Sequence, residues 1–203
     1  MNFFMSRIRR FRDQEDGVIS IELLFAVPIL VWALMSTMVY FDAYRAESIS
    51  NRAALTVADM FSREEAAISP AFLDGTQQVL QLLAEARTLP EFRVTTFSYD
   101  ETADAFERRW SENRSVGDNL DNNDLANMRD RFPRMADNDR AILLETWTDY
   151  TPPMRVGLWL FRSSDAQTTN IEFKTFTVIK PRYTNNFCFD KTPLVTTNGD
   201  EEC

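Results

Sequence analysis

The most informative absence in this chain of 203 residues is histidine, of which there is none. Histidine is the commonest general base and the commonest zinc ligand, so such chemistry would depend on carboxylates, lysine, tyrosine and the two cysteines. Glycine is also scarce, with five residues, and neither the GxGxxG pattern nor the Walker A pattern occurs. Ser-His-Asp and Cys-His catalysis are therefore excluded, and a phosphate-binding loop is not expected.

Positive charge is in deficit as well. Lysine and arginine number 22 against 31 aspartates and glutamates, which gives a net charge of −9. A surface of this sign repels phosphate, so nucleic acid is not an expected partner. The composition, 44% hydrophobic and 26% charged, is that of a globular protein, and the length suits one domain with an appendage.

The apolar residues are concentrated in a run from Val18 to Phe41, whose only charged residue is Glu22. At about 1.5 Å per residue, a helix of this length reaches roughly 36 Å, enough to cross a hydrocarbon core of about 30 Å. We therefore expect a transmembrane helix over residues 18–41, behind a cytoplasmic leader of residues 1–17. The positive-inside bias predicts export of residues 42–203, because the run is preceded by Arg7, Arg9, Arg10 and Arg12.

Glu22 itself can be interpreted in two ways. An ionisable side chain within a membrane span is costly, and such groups usually have a partner or a function. Alternatively, a carboxylate in the first helical turns reaches the nearby headgroups and is stabilised by the helix dipole. The residue alone leaves both interpretations open.

The neighbours of Glu22 favour a partner. In the segment DGVISIE, residues 16–22, a glycine follows a short charged leader and a glutamate lies at the fifth position after it. This segment resembles the class III signal of type IV pilins and pseudopilins, although Val18 replaces the usual phenylalanine. The resemblance implies that a prepilin peptidase cleaves after Gly17 and that Val18 becomes the mature N-terminus. It also implies that Glu22 pairs with the N-terminal amine of a neighbouring subunit during assembly.

Further stretches extend the resemblance to a narrower family. They are residues 15–41 with Pro28 inside the span, residues 54–64, Trp110-Ser111, and residues 145–150 leading into Pro152-Pro153. Together they are similar to the TadE-like pilus assembly proteins of tight-adherence (Flp) systems. Residues 112–139 and 182–203 carry no such similarity.

The family implies a structural role and no enzymatic activity. A TadE-like protein would be a minor pilin or pseudopilin of an adhesion pilus that supports biofilm formation. It would cross the bacterial inner membrane once, with a periplasmic C-terminal domain. The expected partners are a prepilin peptidase, other pilins and pilus assembly proteins, and the lipid bilayer, without a cofactor or small-molecule substrate. The alternative is a single-pass anchored periplasmic enzyme or ligand-binding module unrelated to pili.

Beyond the apolar run the pattern stays helical. Apolar residues recur at steps of three and four at Ile49, Ala53, Val57, Met60 and Phe61. No glycine or proline interrupts residues 42–66, so we expect a helical stalk there. Its apolar stripe should pack against an exported domain of residues 67–203, and the alternative is that it serves as an interface within a filament.

Within that domain a second helix should begin at Pro70, capped by Ser69. Residues 92–99 and 105–110 predict a hairpin, and residues 141–147 and 170–179 predict two more strands. Residues 156–161 form either a short strand or an apolar turn. The predicted fold class is α+β, with the long N-terminal helix and the second helix packed on one face of a mainly antiparallel sheet of three to five strands.

Two groups in the domain are further candidate sites. Residues 117–124, rich in Asp and Asn, form a solvated acidic loop or a calcium site, although their spacing does not fit an EF-hand. Cys188 and Cys203, the only cysteines, could form a disulfide in the oxidising periplasm, which would add about 3 kcal/mol. Two free thiols or an incomplete metal pair are the alternatives. No pattern predicts a catalytic or metal centre.

Overall fold

The structure, a computed structural model, describes residues 18–153, 171–184, 187–190 and 201–202. The helices in these ranges are α1 (Val18–Arg63), α2 (Pro70–Leu83) and α3 (Asn122–Asn127). The strands are β1 (Glu91–Asp100), β2 (Ala105–Arg114), β3 (Arg140–Tyr150), β4 (Ile171–Ile179), β5 (Phe189–Asp190) and β6 (Glu201–Glu202). The α+β fold class is confirmed. The segment 156–161 lies outside the described residues.

Helix α1 includes both the apolar run and most of the predicted stalk, and it ends at Arg63 instead of at residue 66. The Glu64 carboxylate accepts a hydrogen bond from the N–H of Ala66 at 3.3 Å. Such local side-chain bonds compete with helical ones, which explains the earlier end. The chain divides into two compact units, and the division within α1 falls between Asp42 and Ala43.

The second half of α1 buries an apolar stripe in the domain. Ala53, Val57, Ala58 and Phe61 join the main core, whereas Leu55 on the other side of the helix stays exposed. The predicted packing of the stripe is therefore confirmed. Polar contacts add to it, because Ser50 Oγ donates to Thr148 Oγ1 at 3.2 Å inside the protein.

The sheet has four antiparallel strands in the order β2-β1-β3-β4. The predicted hairpin is β1 and β2, and both strands run several residues longer than predicted. A register shift between Thr96 and Phe97 marks an irregularity in this pair. Since side chains alternate along a strand, the irregularity lets Trp110 and Phe106 face opposite sides of the sheet although both positions are even-numbered.

Helices α1 and α2 cover one face of the sheet. Helix α2 begins as predicted, with Ser69 Oγ accepting from the N–H of Phe72 at 3.2 Å and Pro70 at the first helical position. This face of the sheet and the helices share one core. Its sheet residues are Phe92, Val94, Trp110, Ile142 and Leu144.

The other face of the sheet is also covered, so the expectation of cover on one face was incomplete. The polar segment after β2 forms α3 and a 3₁₀ turn, Arg129–Arg131. Widely spaced apolar side chains of this segment pack against Phe97 and Leu143. They are Leu120, Leu125, Met128, Phe132 and Met135.

A segment near the C-terminus completes the main core. Phe187 and Phe189 are buried there beside Trp110, whose Nε1–H donates to the Phe187 carbonyl at 2.6 Å. The backbone of Ile68 also binds the segment, through hydrogen bonds to Cys188 and Asp190 of 2.8 and 2.9 Å. Sequence patterns predicted no element here.

Candidate functional site

The predicted assembly site lies at the start of α1. Within the described residues α1 runs from Val18, and Gly17 lies outside them. Glu22 follows in the second turn with an exposed side chain. Its carboxylate forms no ion pair with any residue in the described ranges. Within the described residues the charge thus has no partner, although ionisable groups in a membrane span usually have one.

Most of the apolar side chains after Glu22 are exposed in the structure. Leu24, Phe25, Met38 and Phe41 each expose about two-thirds or more of their surface, between 67% and 71%. Soluble monomers rarely expose apolar patches beyond a few hundred Å², whereas lipid-facing helices do so throughout. Within the described residues, this is the one helix long and apolar enough to cross a membrane.

Three polar groups interrupt this apolar helix surface. Thr37 satisfies its hydroxyl internally, by donating to the Ala33 carbonyl at 2.8 Å. Ser36 Oγ is buried and has no hydrogen-bond partner. Pro28 has no N–H to donate to the carbonyl four residues earlier. Unsatisfied polar groups in hydrocarbon favour a neighbouring helix that can satisfy them.

The α+β domain carries a polar cluster at the tip of the β1–β2 hairpin. Asp104, in the turn at φ 51°, accepts a hydrogen bond from Tyr99 Oη–H at 2.6 Å and forms an ion pair with Arg129. The hydrogen bonds from Arg129 and Tyr99 lower the pKa of Asp104. Donation to Asp104 in turn raises the pKa of Tyr99. The cluster therefore fastens the hairpin turn to the 3₁₀ turn that carries Arg129.

A groove of about 620 Å³ lies beside this cluster. Its walls combine aromatic and methionine side chains with two guanidinium groups. They include Tyr99, Phe106, Phe132, Met135, Arg129 and Arg134. The groove could accommodate a side chain or short peptide. Arg129 is already paired with Asp104, and Glu101, Asp130 and Asp137 also line the groove, so its positive charges are offset by carboxylates.

The Asp-rich segment 117–124 serves a structural purpose. Asp121 caps α3 by accepting from the N–H of Asp124 at 2.8 Å, and the Asp124 carboxylate accepts from the N–H of Asp121 at 2.9 Å. The bond from the Asp124 backbone lowers the pKa of Asp121. Within the described residues, no group of three or more Asp, Glu, Cys or His side chains is arranged to hold a metal ion.

A nearly buried ion pair was not anticipated from the sequence. Arg93 on β1 and Glu145 on β3 are direct cross-strand neighbours, and their side chains are 13% and 10% exposed. Arg93 Nε and Nη2 donate to one Glu145 oxygen at 2.9 and 2.7 Å, and the guanidinium lies over the Trp147 ring. The available sequence signal for this pair was Arg93 itself, a charged residue within the alternating pattern that predicts β1.

Cys188 is buried and does not occur as a free thiol. The register of the small β5–β6 ladder, with Phe189 opposite Glu202, is the one that a bridge to Cys203 requires. Cys203 lies outside the described residues, so the Cys188–Cys203 disulfide stays a prediction.

Comparisons with known proteins add no family. No family model matches the chain, and no curated protein or solved structure is similar to it at a significant level. The basis for a function is therefore the motif of residues 16–22 and the exposed surface of α1.

Proposed function

We propose that this protein is a minor pilin or pseudopilin-like, TadE-like component needed to assemble a tight-adherence pilus. The observation that carries the proposal is the exposed carboxylate of Glu22, which forms no ion pair within the described residues and lies on the otherwise apolar first half of α1. The motif around these residues resembles a prepilin signal. The proposal places the protein in the bacterial inner membrane with its domain in the periplasm.

The proposed assembly step is electrostatic. A prepilin peptidase hydrolyses the peptide bond after Gly17, which leaves a free ammonium on Val18. An ammonium and a carboxylate are each costly in lipid, and they lower their joint cost by pairing. The Glu22 carboxylate of one subunit would thus accept hydrogen bonds from the amine of an incoming subunit.

The processing step can be tested by the intact mass of protein extracted from native membranes. We expect the mass of a chain that starts at Val18, and the full-length mass in cells without the prepilin peptidase. Gly17→Leu should also leave the leader attached, because a bulky side chain blocks access to the scissile bond. A full-length chain in piliated wild-type cells would contradict the proposal and favour an anchored enzyme or ligand-binding module.

The role of Glu22 can be separated from membrane insertion. Glu22→Ala and Glu22→Gln should leave the protein in the membrane fraction at wild-type level but reduce surface pili at least about tenfold, the effect of losing about 1.4 kcal/mol from each subunit contact. Glu22→Asp should restore part of the pili because it retains the charge. Thr37→Ala is the matched control, since Thr37 bonds only within its own helix. Normal piliation of Glu22→Ala would refute the assembly role.

A further inference from the structure

Helix α2 carries exposed leucines that its core packing does not explain. Its inner face, with Leu73 and Leu80, is fully buried. On the outer side, Leu82 is 78% exposed, the highest value of any large apolar side chain in the described residues. Val79 and Leu83 lie beside it at helical spacing, and Leu89 follows in the next loop at 53%. We call Val79, Leu82, Leu83 and Leu89 the α2 apolar surface.

The loop that carries Leu89 has a defined conformation. Helix α2 ends in a Schellman motif, in which the N–H groups of Glu85 and Ala86 donate to the carbonyls of Leu82 and Gln81 at 3.3 and 3.1 Å. Glu85 has the left-handed φ of 52° that this motif requires. At the other end of the loop, Gln77 Nε2 donates to the Pro90 carbonyl at 3.0 Å. The exposed leucines therefore belong to a fixed surface.

An ion pair shows where along α1 this surface lies. Arg45 Nη2 is 3.9 Å from Glu85 Oε2, so the end of α2 is level with Arg45. In the sequence, Arg45 is only four positions after Phe41, the last residue of the apolar run. The end of α2 is therefore paired with a residue that follows closely after the predicted span.

The chemistry of the surroundings matches a membrane interface. Tyr40 and Tyr44 are exposed on α1, 69% and 68%, and tyrosines prefer the boundary between headgroups and hydrocarbon. Arg45 and Arg87 are exposed next to the leucines and can donate to lipid phosphates. An interfacial element typically buries its apolar side about 5–10 Å into the boundary region.

We propose that the α2 apolar surface rests in the exported leaflet of the membrane, so that the domain has a second lipid contact beside its spanning helix. The proposal depends on the membrane anchor of the proposed function, but not on the pilus role. A second copy of the chain is the competing occupant. Lipid is favoured because α2 ends beside Arg45, which follows closely after the predicted span in the sequence, and because exposed arginines and tyrosines accompany the leucines.

The test uses the full-length chain in liposomes of phosphatidylethanolamine and phosphatidylglycerol, with a nitroxide label on one introduced cysteine at a time. Leu82→Cys probes the surface, Leu30→Cys probes the apolar run, and Leu55→Cys is the matched control. All three leucines are exposed, at 78%, 59% and 56%, so the labels do not disturb the core. Electron paramagnetic resonance then compares collisions with oxygen, which enters lipid, and with a water-soluble nickel chelate.

We expect the label at 82 to collide with nickel at least about threefold less than the label at 55, and to keep its collisions with oxygen. Equal nickel collisions at 82 and 55 would overturn the proposal. Shielding of the label at 82 from both reagents would overturn it too, and would indicate a second copy. If the label at 30 is open to nickel, the membrane anchor itself fails; if 30 lies in lipid and 82 in water, the lipid contact alone fails.

Discussion

The two halves of α1 both carry many apolar residues but place them in opposite environments. From Ile21 to Phe41, apolar residues occur on all sides of the helix and most of their side chains are exposed. From Ser50 to Phe61, most apolar residues keep to one side, and that side is buried. Hydrophobicity alone therefore does not determine whether a helix packs on protein. The period of the apolar residues does, because only a one-sided stripe can lie against a sheet while the other side meets water.

The largest expected effect of one substitution comes from the buried half of α1. Phe61 is fully buried and makes edge contacts with Phe72 and Phe187 at ring distances of 5.6 and 6.3 Å. Phe61→Ala should lower the free energy of unfolding of the domain by about 3–5 kcal/mol. Leu24→Ala, in the exposed half, should change it by less than about 0.5 kcal/mol. Urea titration of the full chain in detergent micelles, followed by tryptophan fluorescence, measures both; equal effects would remove the contrast.

An intermediate effect is expected at the ion pair on the second face of the sheet. Glu145→Ala leaves the guanidinium of Arg93 without its carboxylate, and both side chains are largely buried. We expect a loss of about 3 kcal/mol in the free energy of unfolding, mainly from the uncompensated charge. Glu107→Ala is the control, since Glu107 is exposed on the same sheet, and should cost less than about 0.5 kcal/mol. A loss of unfolding free energy no larger than that of the control would show that water stabilises the Arg93 charge in place of Glu145.

The smallest effect is expected at the exposed hairpin tip. The lowered pKa of Asp104 means that its contribution to stability is present above its unfolded pKa and is lost as the pH falls through its folded pKa. The raised pKa of Tyr99 acts in the opposite direction: its contribution is present below the ordinary value and is lost as the pH rises through the folded pKa. Asp104→Asn should therefore return the pKa of Tyr99 towards its ordinary value.

Ultraviolet titration of tyrosinate detects this shift, and Asp118→Asn provides a control on another exposed aspartate. An unchanged Tyr99 titration in Asp104→Asn would show that the hydrogen bond between them does not persist in solution. The effect on stability should be small in either case, since exposed charges are well screened.

The sequence predicted those elements whose defining residues recur at short, regular intervals. The apolar stripe of α1, the cap at Ser69 and the strand pattern of β1 all depend on near neighbours in the chain, and the structure confirms these elements. The cover of the second face could not be predicted in this way. Leu125 and Phe132 are isolated apolar residues in a polar segment, and only the completed sheet offers them a place to bury.

The residues of the candidate sites also differ in whether a local sequence pattern can predict them. The position of Glu22 five residues after Gly17 can be seen from the sequence because the signal is local. The pairing of Arg93 with Glu145, 52 residues away, depends on which strands become neighbours. The sheet order β2-β1-β3-β4 decides that, and no local pattern encodes it.

The bond from Trp110 to the Phe187 carbonyl, 77 residues later, has a consequence for the order of events during synthesis. Because the ribosome adds residues from the N-terminus, Phe61 and Trp110 are synthesised long before the segment that closes over them. Until residue 189 has been added, the nascent domain has an indole N–H without its acceptor and an open apolar cleft. The domain can therefore complete its core only when almost the whole chain has been made.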